Sequence, residues 1–418
     1  MRFQAPRGTE DCLPDQSDRW AWLEGEFRAL SRLYGYKEIR TPTFEDTDLF
    51  VRSSGETSDI VTKQMYEFTD KGDRSMTLKP EGTAPAIRAV IEHNLCPPSS
   101  VARLSYITPI YRYERPQKGR LRESHQVGLE LIGSPSPAAD AEVIEVTVRF
   151  YERIGIDDAE VSLNSIGRDE CRDKYRAAIL DHIAGYLAAQ PEDFQARAKK
   201  NPLRLMDSKD PAVVEALKGL PPIVDYLEDD SKTRLAEVQR LLTDAGVRYR
   251  LAPEIVRGLD YYTETVFEVS STRLGAQSAL CGGGRYDNLV KELGGSDTPA
   301  VGVAMGIERA LIVLQDMERG PATEKPDVFI VQATESAKDE CVRLARTLRE
   351  AGLVTMIDLD GRSMKSQMKF ADREGARFAL ILGDEELAEM VATVRNLATS
   401  EQRKAPLVGI ADAIRSML

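Results

Sequence analysis

The sequence predicts an α+β domain that is interrupted by a helical insertion and followed by a smaller α/β domain. Three observations predict it. Residues 106–131 and 257–281 each read as strand, polar turn, strand. Residues 169–247, between them, switch to helical periodicity with many charges. Beyond a linker at Glu318–Pro326, strands and helices alternate. The expected boundaries are 1–168 and 249–320 for two parts of one sheet domain, 169–248 for the insertion and 326–418 for the last domain.

The totals agree with several domains. A chain of 418 residues has ample length for more than one core. Its formal net charge of −12 means that any nucleic acid must be held by a local basic patch. Cys12, Cys96, Cys171, Cys281 and Cys341 are dispersed with no Cys-x-x-Cys, which argues against a zinc site or a disulfide framework and fits a reducing cytosol. Only His93, His125 and His182 are present, and these are expected to be structural or exposed, so no resident metal site is predicted. No apolar span of membrane length or signal peptide is read, and a soluble, cytoplasmic protein is expected.

Taken in order, Ser17 to Tyr34 places Trp20, Leu23, Phe27, Leu30 and Leu33 three or four apart, the mark of an amphipathic helix. Gly35 ends it, and Tyr36 to Arg40 reads as a strand stopped by Pro42; such a unit could edge a domain or form a subunit interface. Met76 to Thr83 is a short strand ending in a turn at Pro80 and Gly82, with a helix from Ala84. Thr83 could cap that helix and Glu81 could be a solvated turn carboxylate; alternatively the two receive an ammonium group.

The hairpin Tyr111–Glu130 is the most informative stretch. Ser124, Gln126, Gly128 and Glu130 alternate with His125, Val127, Leu129 and Leu131, so one face is core and the other a polar floor on which Gly128 leaves room. Its turn carries Arg112, Arg115, Lys118, Arg120 and Arg122, and guanidinium groups bind phosphate oxygens in forked pairs. That combination suits a small zwitterion beside a polyphosphate; the alternative is a charged hairpin at a sheet edge.

A helix is expected from about Pro135 to Ile154, and a strand at Val161–Ile166. After the insertion, a strand from Arg257 runs to Val269, then returns at Ser278–Cys281 into a flexible glycine loop, Gly282–Asp287. Pro299–Gly306 is a small-residue strand feeding a helix from Ile307. Arg309 falls in the first turn of that helix, where the dipole disfavours a cation; a phosphate partner, or pairing with Glu308 or Asp287, would account for it. In the last domain, Lys365, Lys369, Arg373 and Arg377 recur every four residues as a basic stripe, either a solvated face or a nucleic-acid contact.

From end to end these segments resemble the histidyl-tRNA synthetase family. Motif 1 of the class II synthetases matches Ser17–Pro42, motif 2 matches Tyr111–Glu130 and motif 3 matches Pro299–Leu314. Arg257-Gly-Leu-Asp-Tyr-Tyr262 is similar to the histidine-specific signature, and Leu78–Thr83, the Gly283–Asp287 loop, the insertion and the last domain also match. The resemblance implies an antiparallel catalytic sheet with helices and a C-terminal anticodon-binding α/β domain. It implies that L-histidine is activated with ATP as substrate, with Mg2+, and passed to the 3′ end of tRNA(His) by a homodimer. By position, Glu81, Gly82, Thr83 and Gln126 would hold the amino acid's ends, and Glu130, Tyr261, Tyr262 and Tyr286 its imidazole. Arg112 would lie on the α-phosphate, Arg120 and Arg309 on the outer phosphates, and Arg257 would act as an electrophile. Gln117 and Lys118 would meet the tRNA acceptor end.

Two positions depart from the family pattern: Ser124 stands where an aromatic usually stacks on adenine, and Lys79 replaces an arginine before Pro-Glu-Gly-Thr. The rival reading is a catalytically silent regulatory subunit of ATP phosphoribosyltransferase; such relatives usually lack the C-terminal domain and the arginine corresponding to Arg257.

Overall fold

A computed structural model describes residues 3–55, 58–117, 119–208, 210–256, 259–277, 279–321 and 324–418. The chain forms two compact units, Met1–Pro321 and Ala322–Leu418.

The first unit opens with α1 (Pro14–Leu33), started by proline at its first position and buried along Leu23, Phe27 and Leu30. Then follow β1 (Lys37–Glu38), β2 (Phe44–Asp46), α2 (Thr47–Ser54), β3 (Tyr66–Thr69), β4 (Ser75–Leu78) and α3 (Thr83–Glu92). The expected Tyr36–Arg40 strand is thus only two residues, enough to pair in parallel with Leu104 and Ser105. The long hairpin is β5 (Ala102–Tyr111) and β6 (Glu123–Ile132), followed by α4 (Pro137–Arg153) and β7 (Glu160–Ser165). Helices α5 (Asp169–His182), α6 (Ala184–Ala188), α7 (Glu192–Lys200), α8 (Pro211–Ala216) and α9 (Asp229–Asp244) come before β8 (Tyr249–Leu251). The unit ends with β9 (Thr263–Ser270), β10 (Ala279–Arg285), α10 (Leu289–Glu292), β11 (Ala300–Gly306) and α11 (Ile307–Asp316).

The main sheet has the order β1-β5-β6-β11-β10-β9-β7-β8, and β2-β4-β3 form a smaller one. All neighbours from β5 through β7 pair antiparallel. Only the edge pairs β1–β5 and β7–β8 are parallel. The insertion therefore leaves the sheet after β7 and rejoins it beside the same strand. One apolar cluster, from Leu23 and Phe27 through Val127, Leu129 and Leu131 to Val313, runs under the sheet. Each such buried side chain stabilises the unit by ~1.5–3 kcal/mol.

Several local expectations are corrected. Gly282–Arg285 is not a loop but the C-terminal half of β10, flanked by β9 and β11. A Cβ on Gly283 would lie 2.4 Å from the Gly302 carbonyl oxygen and 2.7 Å from the Phe267 ring. Glycine here permits close strand packing, not flexibility. Thr83 is not the cap of α3; the Glu81 carboxylate accepts from the amides of Thr83 (2.6 Å) and Ala84 (2.7 Å) and takes that role. The room over Gly128 is filled by Tyr106, whose ring would stand 2.2 Å from a Cβ there.

The second unit contains β12 (Val328–Gln332), α12 (Lys338–Glu350), β13 (Thr355–Ile357), α13 (Met364–Arg373), β14 (Phe378–Leu382), α14 (Asp384–Glu389), β15 (Val391–Asn396), β16 (Gln402–Pro406) and α15 (Ile410–Arg415). Its sheet order is β13-β12-β14-β15-β16, parallel at β12 and antiparallel at β15. The strand β16 had no sequence expectation, because Gln402, Arg403 and Lys404 are exposed at a sheet edge and carry no apolar alternation. Lys365, Lys369 and Arg373 share α13, whereas Arg377 lies beyond its end and faces Asp327 at 3.7 Å.

Candidate active site

A cavity of about 620 Å³ opens on the face of the main sheet. Its wall is drawn from distant parts of the chain: the 81–83 turn, β5–β6, the 259–262 segment, β9–β11 and the start of α11. Each strand delivers alternate residues to this face, so the period-two pattern of β6 presents Ser124 and Gln126 to the cavity while Val127 and Leu129 enter the core.

At one end, Glu130 is fully buried. Thr83 Oγ1 donates to its Oε1 at 2.8 Å, Tyr106 Oη donates to the same oxygen at 3.0 Å, and Tyr286 Oη donates to Oε2. Burial pushes the Glu130 carboxyl up to about 8; the three hydroxyls oppose the shift and the negative charge of Glu81 adds to it. Gly302 faces it across the β6–β11 pair, and a Cβ there would come within 1.8 Å of Glu130 Oε2. Tyr261 packs against Tyr262 with the rings tilted by 49° (centroids 4.7 Å apart) and meets Tyr286 edge-on at 5.6 Å. Gln126 lines the cavity, and its Oε1 is buried without a hydrogen-bond partner among the described residues.

Next to this niche stand the cations. Arg112 Nε donates to the Pro80 carbonyl at 2.7 Å, which holds the guanidinium beside Glu81. Burial also raises the Glu81 carboxyl above its ordinary range, against its amide bonds and Arg112. Arg309 Nε donates to the Gly119 carbonyl at 3.2 Å and Nη1 to that of Ala279, tying the motif 2 turn to α11. Arg120 sits 3.5 Å from Glu114. Burial lowers the pKa of both Arg112 and Arg309, and in each the charge of Arg120 lowers it further. Arg120 thus repels each of the other two guanidinium groups in one cavity, an arrangement that an anion relieves. The pairings considered for Arg309 are taken elsewhere: Glu308 accepts from the His125 amide at 2.8 Å and lies 3.0 Å from its Nδ1, and Asp287 accepts from Arg285 at 3.0 Å.

The structure therefore brings Glu81, Thr83, Arg112, Arg120, Gln126, Tyr261, Tyr262, Tyr286 and Arg309 to one cavity, with Glu130 joined to it through Thr83 and Tyr286. Gly82 lies between Glu81 and Thr83, where a Cβ would meet the Tyr106 ring at 2.4 Å. Gln117 is exposed at the hairpin tip, its amide and carbonyl paired with Arg120. Arg257 and Lys118 lie outside the described residues. Of the two departures, Ser124 lines the cavity, whereas Lys79 is buried and its Nζ donates to the Thr41 carbonyl at 3.2 Å.

Sequence reasoning missed Tyr106, Gly302 and the His125–Glu308 pair. Tyr106 pairs directly with Gly128 across the hairpin, and an aromatic opposite a glycine was the available signal. His125 is neither purely structural nor simply exposed: it lines the cavity edge, with Trp20 against its ring at 4.9 Å. Burial opposes its protonation, but Glu308 outweighs burial and raises its pKa.

An antiparallel sheet that gathers a basic hairpin, a glycine-bearing strand and the first turn of a following helix around one cavity defines a class II aminoacyl-tRNA synthetase. Residues 8–310 match the family model described as histidyl-tRNA synthetase, and residues 327–417 match an anticodon-binding domain. The histidine–tRNA ligase of Natranaerobius thermophilus is 45% identical over 419 residues, covering 100% of both chains. That of Halothermothrix orenii is 44% identical over 421 residues, again covering 100% of each. The crystal structure of apo Staphylococcus aureus histidyl-tRNA synthetase superposes with a TM-score of 0.84 at 36% identity, covering 99% of this chain and 100% of that one. The chain belongs to the histidyl-tRNA synthetase family.

Proposed function

We propose that the cavity binds histidine at its Glu130 end and ATP along its arginines, and that the chain works as an AMP-forming histidine–tRNA ligase. Family membership over the full length supports the activity, and the matched anticodon-binding domain weighs against a silent regulatory subunit. The single observation behind the assignment of residues is the convergence of Arg112, Arg120 and Arg309 beside a niche with an unpaired Gln126 oxygen and a buried Glu130.

In this reading Glu81 and Thr83 meet the substrate ammonium, Gln126 its polar ends, and Glu130 with Tyr261, Tyr262 and Tyr286 the imidazole. Arg112 lies on the α-phosphate, and Arg120 and Arg309 hold the outer phosphates. The histidine carboxylate attacks the α-phosphorus: a new O–P bond forms, the bond to the β-phosphate oxygen breaks, and pyrophosphate leaves. Arg112 and Arg257 stabilise the charge that grows on the phosphoryl oxygens. A ribose hydroxyl of the terminal tRNA adenosine then attacks the acyl carbon and AMP leaves. Alignment of bound reactants supplies much of the rate. A wrong amino acid leaves Glu130 and the phenols unpaired, which rejects it without editing.

Magnesium fits the same wall. Glu114 and Glu268 line the cavity with Arg120 and Arg309, and Mg2+ typically combines one or two carboxylates with phosphate oxygens. When bound, the ion neutralises the outer phosphates. Gln117, exposed at the hairpin tip, and Lys118 meet the acceptor end. A cytoplasmic homodimer completes the proposal; motif 1, α1 with β1, is the interface it names.

ATP–pyrophosphate exchange with each amino acid in turn tests the reading. Exchange is expected with histidine only and is lost in Arg257→Ala; unchanged exchange in that variant removes the electrophile.

A further inference from the structure

The segment 259–264 carries both signature tyrosines, yet much of what holds it comes from the helical insertion. Asn201, just past α7 and 8% exposed, donates from Nδ2 to Asp260 Oδ1 at 3.0 Å. Arg172, buried on α5, donates from Nη1 to the Tyr262 carbonyl. Ser231 on α9 donates to Glu264 Oε1 at 3.0 Å, and Arg168, one residue before α5, donates to the same oxygen at 2.9 Å. Glu264 itself is buried and sits in the left-handed region at φ 49°, a conformation that persists for a non-glycine residue only when its surroundings enforce it. The space between insertion and segment is closed down to about 30 Å³, lined by Arg172, Asn201, Asp260 and Tyr262 among others. Gly55 also lies close against Asp260, whose Oδ2 would stand 2.6 Å from a Cβ at that glycine.

We infer that Asn201 and Arg172 are positioning residues for the amino acid: the insertion holds the Tyr261–Tyr262 segment in its histidine-binding conformation and so sets the affinity for histidine. Neither residue lies in the main cavity, so each acts through Asp260 or the Tyr262 backbone. Rigid placement of ligand-facing side chains depends on the shell behind them, and a segment pinned at three separate points of a module follows any movement of that module. The inference rests on the assignment of Tyr261 and Tyr262 to the imidazole made above.

A double-mutant cycle on the full-length enzyme tests it, with Asn201→Ala, Asp260→Ala and the double variant compared by exchange kinetics and thermal unfolding. The KM for histidine is expected to rise about tenfold in Asn201→Ala, the scale of one lost hydrogen bond to a charged group. The KM for ATP and the unfolding temperature should stay close to wild type. In the Asp260→Ala background the same substitution should add less than about twofold, because the partner is already gone. Asn201→Leu, which also removes the donor and nearly keeps the side-chain shape, serves if the alanine variant does not fold. A histidine KM that does not move, both KM values moving together, or an equal effect with and without Asp260 each overturns the inference. Absence of histidine-dependent exchange in the wild-type protein would instead sink the functional reading on which it stands.

Discussion

Replacing Glu130 by glutamine should make the free protein more stable at alkaline pH while weakening its use of histidine. The carboxyl is fully buried, and its three hydrogen-bond partners are hydroxyls. Moving it from its ordinary 4.5 to about 8 corresponds to about 5 kcal/mol, at about 1.4 kcal/mol for each tenfold change in proton affinity. The sign follows from which state holds the proton more tightly. The folded chain keeps it up to about 8 whereas the unfolded chain releases it near 4.5, so the penalty is absent below 4.5, grows as pH rises and is complete above about 8. Glutamine is neutral throughout and escapes it.

Unfolding midpoints of Glu130→Gln and wild type, measured at pH 5 and pH 9, should therefore diverge with rising pH in favour of the variant. A difference that stays constant between the two pH values would show that Glu130 does not titrate across this range, and the reasoning from burial would fail. At pH 9, where the wild-type carboxyl is ionised, the KM for histidine should rise by about a hundredfold in the same variant, since on the proposed assignment a charge-assisted bond to the imidazole N–H is lost. Greater stability with poorer substrate use is the usual price of removing a strained functional group.

Three further outcomes are expected. Ser124→Phe should lower the KM for ATP about tenfold, because ring stacking on a base contributes ~1–3 kcal/mol; an unchanged value would mean that adenine is held elsewhere in the cavity. Arg285→Met should lower the unfolding free energy by about 3–5 kcal/mol, since Asp140 is fully buried and depends on Arg285 and Arg234 for its compensation; a loss below about 1 kcal/mol would place that pair in solvent. Lys365→Glu combined with Lys369→Glu should leave pyrophosphate exchange intact and raise the KM for tRNA, with the difference shrinking at high salt; a salt-independent effect would rule out phosphate contact by α13.

What could be read in the chain beforehand depended on whether a residue's role was local. The two faces of β6 were visible because every second residue faces one side, so Val127, Leu129 and Leu131 separated from Ser124 and Gln126 without knowledge of any partner. The arginines were visible because their chemistry is the same wherever they sit. The glycine run misled because flexibility and close packing demand the same residue, and only the neighbours of Gly283, a carbonyl and a phenyl ring, decide between them. Thr83 misled for a related reason: a hydroxyl before a helix usually caps it, but the Glu81 carboxylate is the stronger acceptor and frees the hydroxyl to reach Glu130, 47 positions along the chain.

The least legible features are those that position others. Arg285 and Asp140 are 145 residues apart, and Asn201 and Asp260 are 59 apart; neither pair has a spacing or composition that announces it. Yet Arg285 also anchors Asp287, so the two charges bracket Tyr286, whose hydroxyl reaches Glu130. The insertion likewise secures the segment bearing Tyr261 and Tyr262. Groups that touch the substrate must be of a particular chemical type and so leave a trace in the sequence. Groups that hold them in place need only fit, and many pairs fit equally well, so they become visible only once the chain is folded.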